Sequence, residues 1–210
     1  MPTESTLLVF SGVALVLLLV PGPAVIYITT TAATHGRRAG FISVAGIHLG
    51  TFVHIGAAVL GLSAIVVTSA TAFTAVKLAG AVYLVVVGAR MMLGRQAGKT
   101  RQTRSGSSDR RLFLRGFLVN VLNPKTAVFF LAFVPQFVDV SAGSATTQLL
   151  ILGLAFVTLG LVTDGIYALV AGWAGPKVLG SAGLLRRKDQ IAGAIYVGLG
   201  VTTAVTGSGE

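Results

Sequence analysis

The stretch Arg115-Gly-Phe-Leu-Val-Asn-Val-Leu-Asn-Pro-Lys-Thr-Ala-Val-Phe-Phe-Leu-Ala-Phe-Val-Pro-Gln-Phe137 decides the fold class. Its two ends are apolar enough for lipid, while its middle carries Asn120, Asn123, Pro124 and Lys125. A lysine at the centre of a membrane helix is disfavoured by about 2.5–3.5 kcal/mol on insertion scales. Proline has no backbone N–H and its ring crowds the preceding turn, so a helix bends or stops there. Carbonyls freed at membrane depth persist only where protein or a water-filled cavity satisfies them. A polar break at mid-depth therefore points to a binding site of the kind transporters build from discontinuous helices.

Outward from this stretch, the chain has the composition of an integral membrane protein. Hydrophobic residues make up 54% and charged residues 10% of the 210 positions. A soluble domain carries about 25% charge, so too few polar residues remain to cover a water-facing surface. Six apolar segments approach or exceed the roughly 20 residues that a helical span requires: Leu7–Thr31, Gly40–Val67, Phe73–Leu93, Leu112–Val138, Gln148–Trp173 and the shorter Gln190–Thr206. They lack alternation and are too long for barrel strands. No basic flank precedes the first segment, where Glu4 is acidic, and no small-residue cleavage site follows it, so that segment is expected to be retained. Cysteine is absent, which excludes disulfides and thiolate metal sites.

The basic residues set the orientation. Fourteen of the sixteen fall in loops 1–2, 3–4 and 5–6, from Arg37 and Arg38 through Arg90–Arg115 to Lys177–Lys188. The opposite side holds Lys77 with Glu4, Asp139 and Glu210. The positive-inside rule then puts the three basic loops in the cytoplasm and both termini outside. The net charge of +10 is accordingly topological, and no nucleic-acid partner is expected. The loop 94–111 reads as a solvated connector within reach of anionic lipid headgroups.

Two motif pairs suggest an internal repeat. Lys77-Leu-Ala-Gly-Ala-Val-Tyr83 matches Gln190-Ile-Ala-Gly-Ala-Ile-Tyr196, and Pro21-Gly22-Pro23-Ala24-Val25 is echoed by Asn123-Pro124-Lys125-Thr126-Ala127-Val128. Three crossings per unit invert the second unit, and paired proline breaks in such repeats mark the substrate site. The expected fold is all-α integral membrane, one domain over 1–210. Its six transmembrane helices form two inverted three-helix repeats, 1–95 and 112–210, with helices 1 and 4 broken at the proline motifs.

Polar residues within the spans are few. Gly46, Gly50 and His54 share one helical stripe, so His54 faces protein or cavity, where it either bonds a carbonyl or handles a proton. His48, about 240° further round the helix, is poorly placed to share a ligand with His54. Gly153, Gly160, Asp164 and Ala168 form a second small-residue stripe, and Asp164 is the only acid inside any span. Asp164 lies about 24 Å from Gln148 and about 20 Å from Lys177, and Lys125 about 15 Å from Arg115, at the helical rise. Two readings stay open: a structural Lys125–Asp164 ion pair, or a substrate and proton site.

Taken together, these residues resemble the lysine exporter superfamily (LysE/RhtB type) in its homoserine/threonine-resistance branch. The resemblance rests on Pro21-Gly22-Pro23, His35-Gly36-Arg37-Arg38-Ala39-Gly40, Gly46 through Gly50 to His54, and Lys77-Leu-Ala-Gly-Ala-Val-Tyr-Leu84. It continues through Asn120-x-x-Asn123-Pro124-Lys125, Phe129-Phe130, Pro135-Gln136-Phe137 and Asp164-x-x-Tyr167. It implies six spans in a bacterial inner membrane and proton-driven efflux of amino acids or their derivatives. His48 departs from it, standing where a neutral polar residue is expected.

The functional expectation is a secondary exporter of a neutral, threonine- or homoserine-like amino acid, probed through substrate residues Pro21, Gly22, Pro23, Asn120, Asn123, Pro124 and Lys125. Lys125 and the half-helix N-terminus after Pro124 suit a carboxylate, and Asp164 an ammonium. Asp164 and His54 are the proton-coupling candidates. The expected partners are amino acid, protons and lipid, and a homo-oligomer is compatible with such a chain. No Gly-x-x-x-x-Gly-Lys-Ser/Thr motif occurs, so neither ATP drive nor any other cofactor is expected, and no enzyme activity. Metal-cation efflux would need clustered His, carboxylate or Cys ligands. A purely structural membrane protein would not need Lys125 and Asp164 inside spans.

Overall fold

Helices start and stop around three prolines. A computed structural model describes residues 1–68, 86, 89 and 108–174. The third apolar segment (Val86 and Ala89 apart), the sixth segment, both copies of the Lys77–Tyr83 repeat motif and residues 94–107 lie outside the described residues. Helix α1 runs Glu4–Leu19, its first turn capped by the Thr3 hydroxyl, which accepts from the Thr6 N–H at 3.1 Å. Pro21 ends it, and α2 (Pro23–His35) starts with Pro23 in its first turn, where the missing N–H has no helical role. The two axes bend by 53°. Gly36 closes α2 at φ +87°, a conformation suited to glycine, and α3 (Arg37–Thr68) follows.

The stretch that opened the sequence reading breaks in the same way. Helix α4 (Asp109–Val121) stops, and α5 (Pro124–Val128) begins with Pro124 in its first turn. It continues into a π-helical turn, Phe129–Phe133, and a 3-10 turn, Val134–Phe137, the pair bending by 47°. A second 3-10 turn, Val140–Ala142, leads to α6 (Ala145–Ala174). Among the described residues every regular element is helical. Arg37–Gly61 and Ala145–Ala174 are each long and apolar enough to cross a membrane, and each bent pair adds one crossing if counted as a single span.

Glycines allow close packing. A Cβ on Gly50 would lie 2.9 Å from Phe117 O, and one on Gly116 would lie 2.7 Å from Ser43 O. Helices α3 and α4 thus approach backbone to backbone from both sides. Gly153 instead receives the Ile55 side chain, whose Cδ1 would stand 2.9 Å from a Cβ there, so α6 packs on α3 through that side chain. Leu8, Leu60 and Trp173 are more than 70% exposed, as suits a surface covered by lipid rather than water.

Two buried apolar clusters divide the interior. One gathers Phe10, Phe129, Phe130, Phe133 and Phe156 with Leu17 and Leu18; the other gathers Tyr27, Ile28, Ile47 and Ala168. The ends of the bundle differ in charge. At one end Arg38 pairs with Asp109 at 2.7 Å, beside Arg37, Arg110 and Arg111. At the other the Met1 ammonium donates to Ala142 O at 2.7 Å. There the Ser141 hydroxyl and N–H, at 2.6 and 2.8 Å, hold the Asp139 carboxyl below the ordinary carboxylate range.

Candidate functional site

In an α-helix each N–H bonds the carbonyl four residues earlier. Pro21, Pro23 and Pro124 therefore deprive the carbonyls of Leu17, Leu19 and Asn120 of their usual donors. Each of these carbonyls is met by a side chain from elsewhere. Lys125 Nζ donates to Leu17 O and to Val20 O, both at 2.6 Å. The Tyr167 hydroxyl donates to Leu19 O at 2.8 Å. His54 Nε2 lies 2.8 Å from Asn120 O. A carbonyl only accepts, so His54 carries its proton on Nε2. Gly22 makes the first of these contacts possible, since a Cβ there would stand 3.1 Å from Lys125 Cδ.

Asn120 is the hub of the second break. Its Nδ2 donates to Ile47 O at 2.8 Å and to Thr51 Oγ1 at 2.9 Å. Its Oδ1 accepts from Thr126 Oγ1 at 3.0 Å and from Asn123 Nδ2 at 3.3 Å. An amide has two donors and two acceptor lone pairs, so Asn120 is filled by the protein itself. Asn123 caps α5 by accepting the Lys125 N–H at 3.1 Å, and keeps one amide N–H for another partner.

A cavity lies between the two breaks, where the apolar clusters meet. Among the described residues its polar lining is His48, Thr51, Asn120, Asn123, Lys125, Thr126 and Asp164, with Gly22 at its edge. Its apolar lining is Leu17, Leu18, Ala24, Val25, Ile47 and Phe156. It offers about 30 Å³ to water centres, where about 10–15 Å³ suffices for one molecule. The described lining leaves room for water and has to widen to take an amino acid.

The expected site residues thus separate into two groups. Gly22, Asn120, Asn123, Lys125 and Asp164 come together around the cavity. Pro21, Pro23 and Pro124 shape it from behind, and His54 stands outside its lining, on the carbonyl that Pro124 frees. Among the described residues no ion pair joins Lys125 to Asp164. Lys125 holds the α1 carbonyls, and the partner of Asp164 is His48, with Nε2 3.2 Å from Oδ2.

His48 also lines the cavity, which neither its position relative to His54 nor the resemblance indicates. Depth would have found it. It lies eleven residues into α3 from Arg37 and Asp164 ten residues before the end of α6, so both stand about 15 Å in from the basic end.

A family model of LysE type translocators matches residues 15–207, a span that includes both breaks and every residue of the cavity. The chain belongs to this family. Its relatives include a homoserine/homoserine lactone efflux protein of Salmonella typhimurium, 35% identical over 162 residues, 75% of this chain and 78% of its own length. A leucine efflux protein of Klebsiella pneumoniae is 25% identical over 192 residues, 91% of each chain. An uncharacterized membrane protein of Vibrio cholerae is 30% identical over 191 residues, 91% of this chain and 92% of its own. No solved structure matches. This LysE-type protein is a membrane translocator and not an enzyme.

Proposed function

We propose that this translocator exports small neutral amino acids, threonine- or homoserine-like, from the bacterial cytoplasm in exchange for protons. It works as six spans in two inverted repeats, with both termini outside the inner membrane. The observation that carries this reading is one cation, Lys125, and one anion, Asp164, facing the same cavity between two broken helices without contacting each other. A zwitterion presents one carboxylate and one ammonium, which match that pair, and Asn123, Thr51 and Thr126 supply neutral polar contacts. The efflux names of the Salmonella and Klebsiella relatives point the same way. Loading requires the cavity to widen, and Lys125 to turn from the α1 carbonyls toward the cargo carboxylate.

A proton gradient is a sufficient drive. The membrane potential contributes about 2.3 kcal/mol per charge per 100 mV. At 1.4 kcal/mol per tenfold, one proton entering through ~100–150 mV supports roughly a 50- to 300-fold outward gradient of a neutral solute. Everted vesicles with an imposed acid interior, given a radiolabelled amino-acid panel, should accumulate a neutral amino acid when the gradient is present. Accumulation that ignores the gradient, or no accumulation at all, would count against the reading. A reporter fused after Gly98 should lie in the cytoplasm and one at the C-terminus outside. Both on one side would remove the inverted repeat.

A further inference from the structure

His48 has no structural task that its contacts disclose. It is 4% exposed, yet neither Nδ1 nor Nε2 has a hydrogen-bond partner. Its 3.2 Å approach to Asp164 Oδ2 is close enough for an ion pair but lies outside hydrogen-bonding geometry. Unpartnered polar groups are rarely kept in a protein interior, and one that lines a cavity is held there for something other than packing. The approach is built into α6, because a Cβ on Gly160 would stand 2.5 Å from His48 Cε1. Glycine one turn before Asp164 is what lets the imidazole reach the carboxylate. His54 differs in each respect: its Nε2 is committed to Asn120 O, its ring stacks on Phe130, and it stands outside the cavity lining.

Among the described residues the charged and titratable groups around the pair are few. Helix α5 contributes Lys125, and α6 contributes Tyr167 beyond Asp164 itself. Helix α2 contributes Tyr27, whose hydroxyl donates to Leu112 O. Helix α4 presents the neutral Asn120, and the π-helical turn presents only apolar residues.

Building on the export reading above, we propose that His48 and Asp164 form the site where proton and cargo ammonium compete, with His48 rather than His54 as the proton carrier. In the proton-loaded state the imidazolium Nε2–H faces the Asp164 carboxylate, and the pair is neutral. A cargo ammonium arriving from the cytoplasm needs the same carboxylate, and two cations crowd one anion. The proton leaves His48 for cytoplasmic water, and the neutral imidazole then accepts a hydrogen bond from the ammonium. On the outer side a proton returns to His48 and the ammonium departs. One proton moves in and one zwitterion moves out, and no other bond is made or broken. Competition for a single carboxylate makes the exchange obligatory.

The test compares wild type, H48Q, H54Q and D164N in everted vesicles with acid interior, using radiolabelled threonine, homoserine and leucine. H48Q should lose about 100-fold of gradient-driven uptake, the scale of a lost positioned proton carrier, and its counterflow, weakened where the ammonium loses the imidazole as acceptor, should fall by about tenfold at most. Its counterflow should also become flat across pH about 5–8, where imidazoles titrate. H54Q should fall less than about tenfold and keep the wild-type pH profile, by the same scale. D164N should lose gradient coupling and retain weakened exchange. A second measurement needs no variant: purified wild-type protein in weakly buffered detergent should release one proton for each probe molecule bound. Gradient-driven uptake that survives in H48Q, a loss in H54Q as large as in H48Q, or probe binding without proton release overturns the assignment and leaves the export reading standing. Wild-type vesicles that take up none of the three probes overturn the export reading and this inference together.

Discussion

The break near Gly22 and the break near Asn123 look alike in outline and are held in opposite ways. At the second, most of the repair is local. Asn123 accepts from Lys125 N and donates its own N–H to Asn120 O at 3.0 Å, and Thr126 bonds the Asn120 amide. Only His54, Ile47 and Thr51 come from a distant helix, all three from α3. At the first break Gly22 offers no side-chain cap; the Val20 N–H donates locally to Leu17 O at 3.2 Å, and the side-chain donors come from 105 to 148 residues away, through Lys125 and Tyr167. A break that repairs itself is a fixed frame. One repaired by borrowed donors is a joint, and it opens when the donors leave. Lys125 belongs to the frame and holds the joint, so in the proposed cycle cargo that engages Lys125 acts on α1 directly.

The variant that presses hardest on this contrast is K125M. It takes the Lys125 donor from the Val20 and Leu17 carbonyls, of which Leu17 O keeps only the Val20 N–H at 3.2 Å, and leaves the cavity without its cation. Each buried acceptor left unpaired costs about 1–3 kcal/mol. Threonine uptake should fall below detection and the unfolding temperature in detergent should drop. N123A loses a cap worth about 0.5–2 kcal/mol, so it should destabilise less. The reverse order would erase the distinction between joint and frame.

P124A comes next. It restores an N–H that can bond Asn120 O, competes with His54, and lets α4 run on. Uptake should fall by about tenfold, a barrier change near 1.4 kcal/mol, while thermal stability in detergent changes little. Wild-type uptake by P124A would mean that the bend is dispensable.

Y167F should have the smallest effect. Losing one hydroxyl from Leu19 O costs about 1–3 kcal/mol if that carbonyl stays dry, and less if water replaces it. The expected outcome is a modest loss of uptake with Lys125 still in place, and a loss as deep as that of K125M would show that the two donors act as one.

The breaks, and the spans that fall on the described residues, were legible because they depend on near neighbours in sequence. Apolar length announces a crossing, and a proline at mid-depth announces an interruption whatever surrounds it. The donors that meet the freed carbonyls were not legible. Lys125 reaches α1 and Tyr167 reaches α1 from α6, and such meetings depend on how each helix is rotated about its axis. Helices apolar on every side, such as α3 and α6, give that rotation little signature in their sequence. For the same reason Lys125 and Asp164 stood as one open pair in the sequence, and the structure gives each a different partner. His54 carried two readings of equal standing, and it stands on the carbonyl that Pro124 frees.

The size of the cavity has a consequence for the cell. In the proposed export cycle, a cavity whose described lining leaves room for water alone is a wall until cargo opens it. Raising the translocator's copy number then increases the capacity to discharge a surplus without draining the cytoplasmic pool on which protein synthesis depends. In that proposed cycle leak and capacity are set by different parts of the molecule: leak by the contraction around Lys125, capacity by how often cargo releases it.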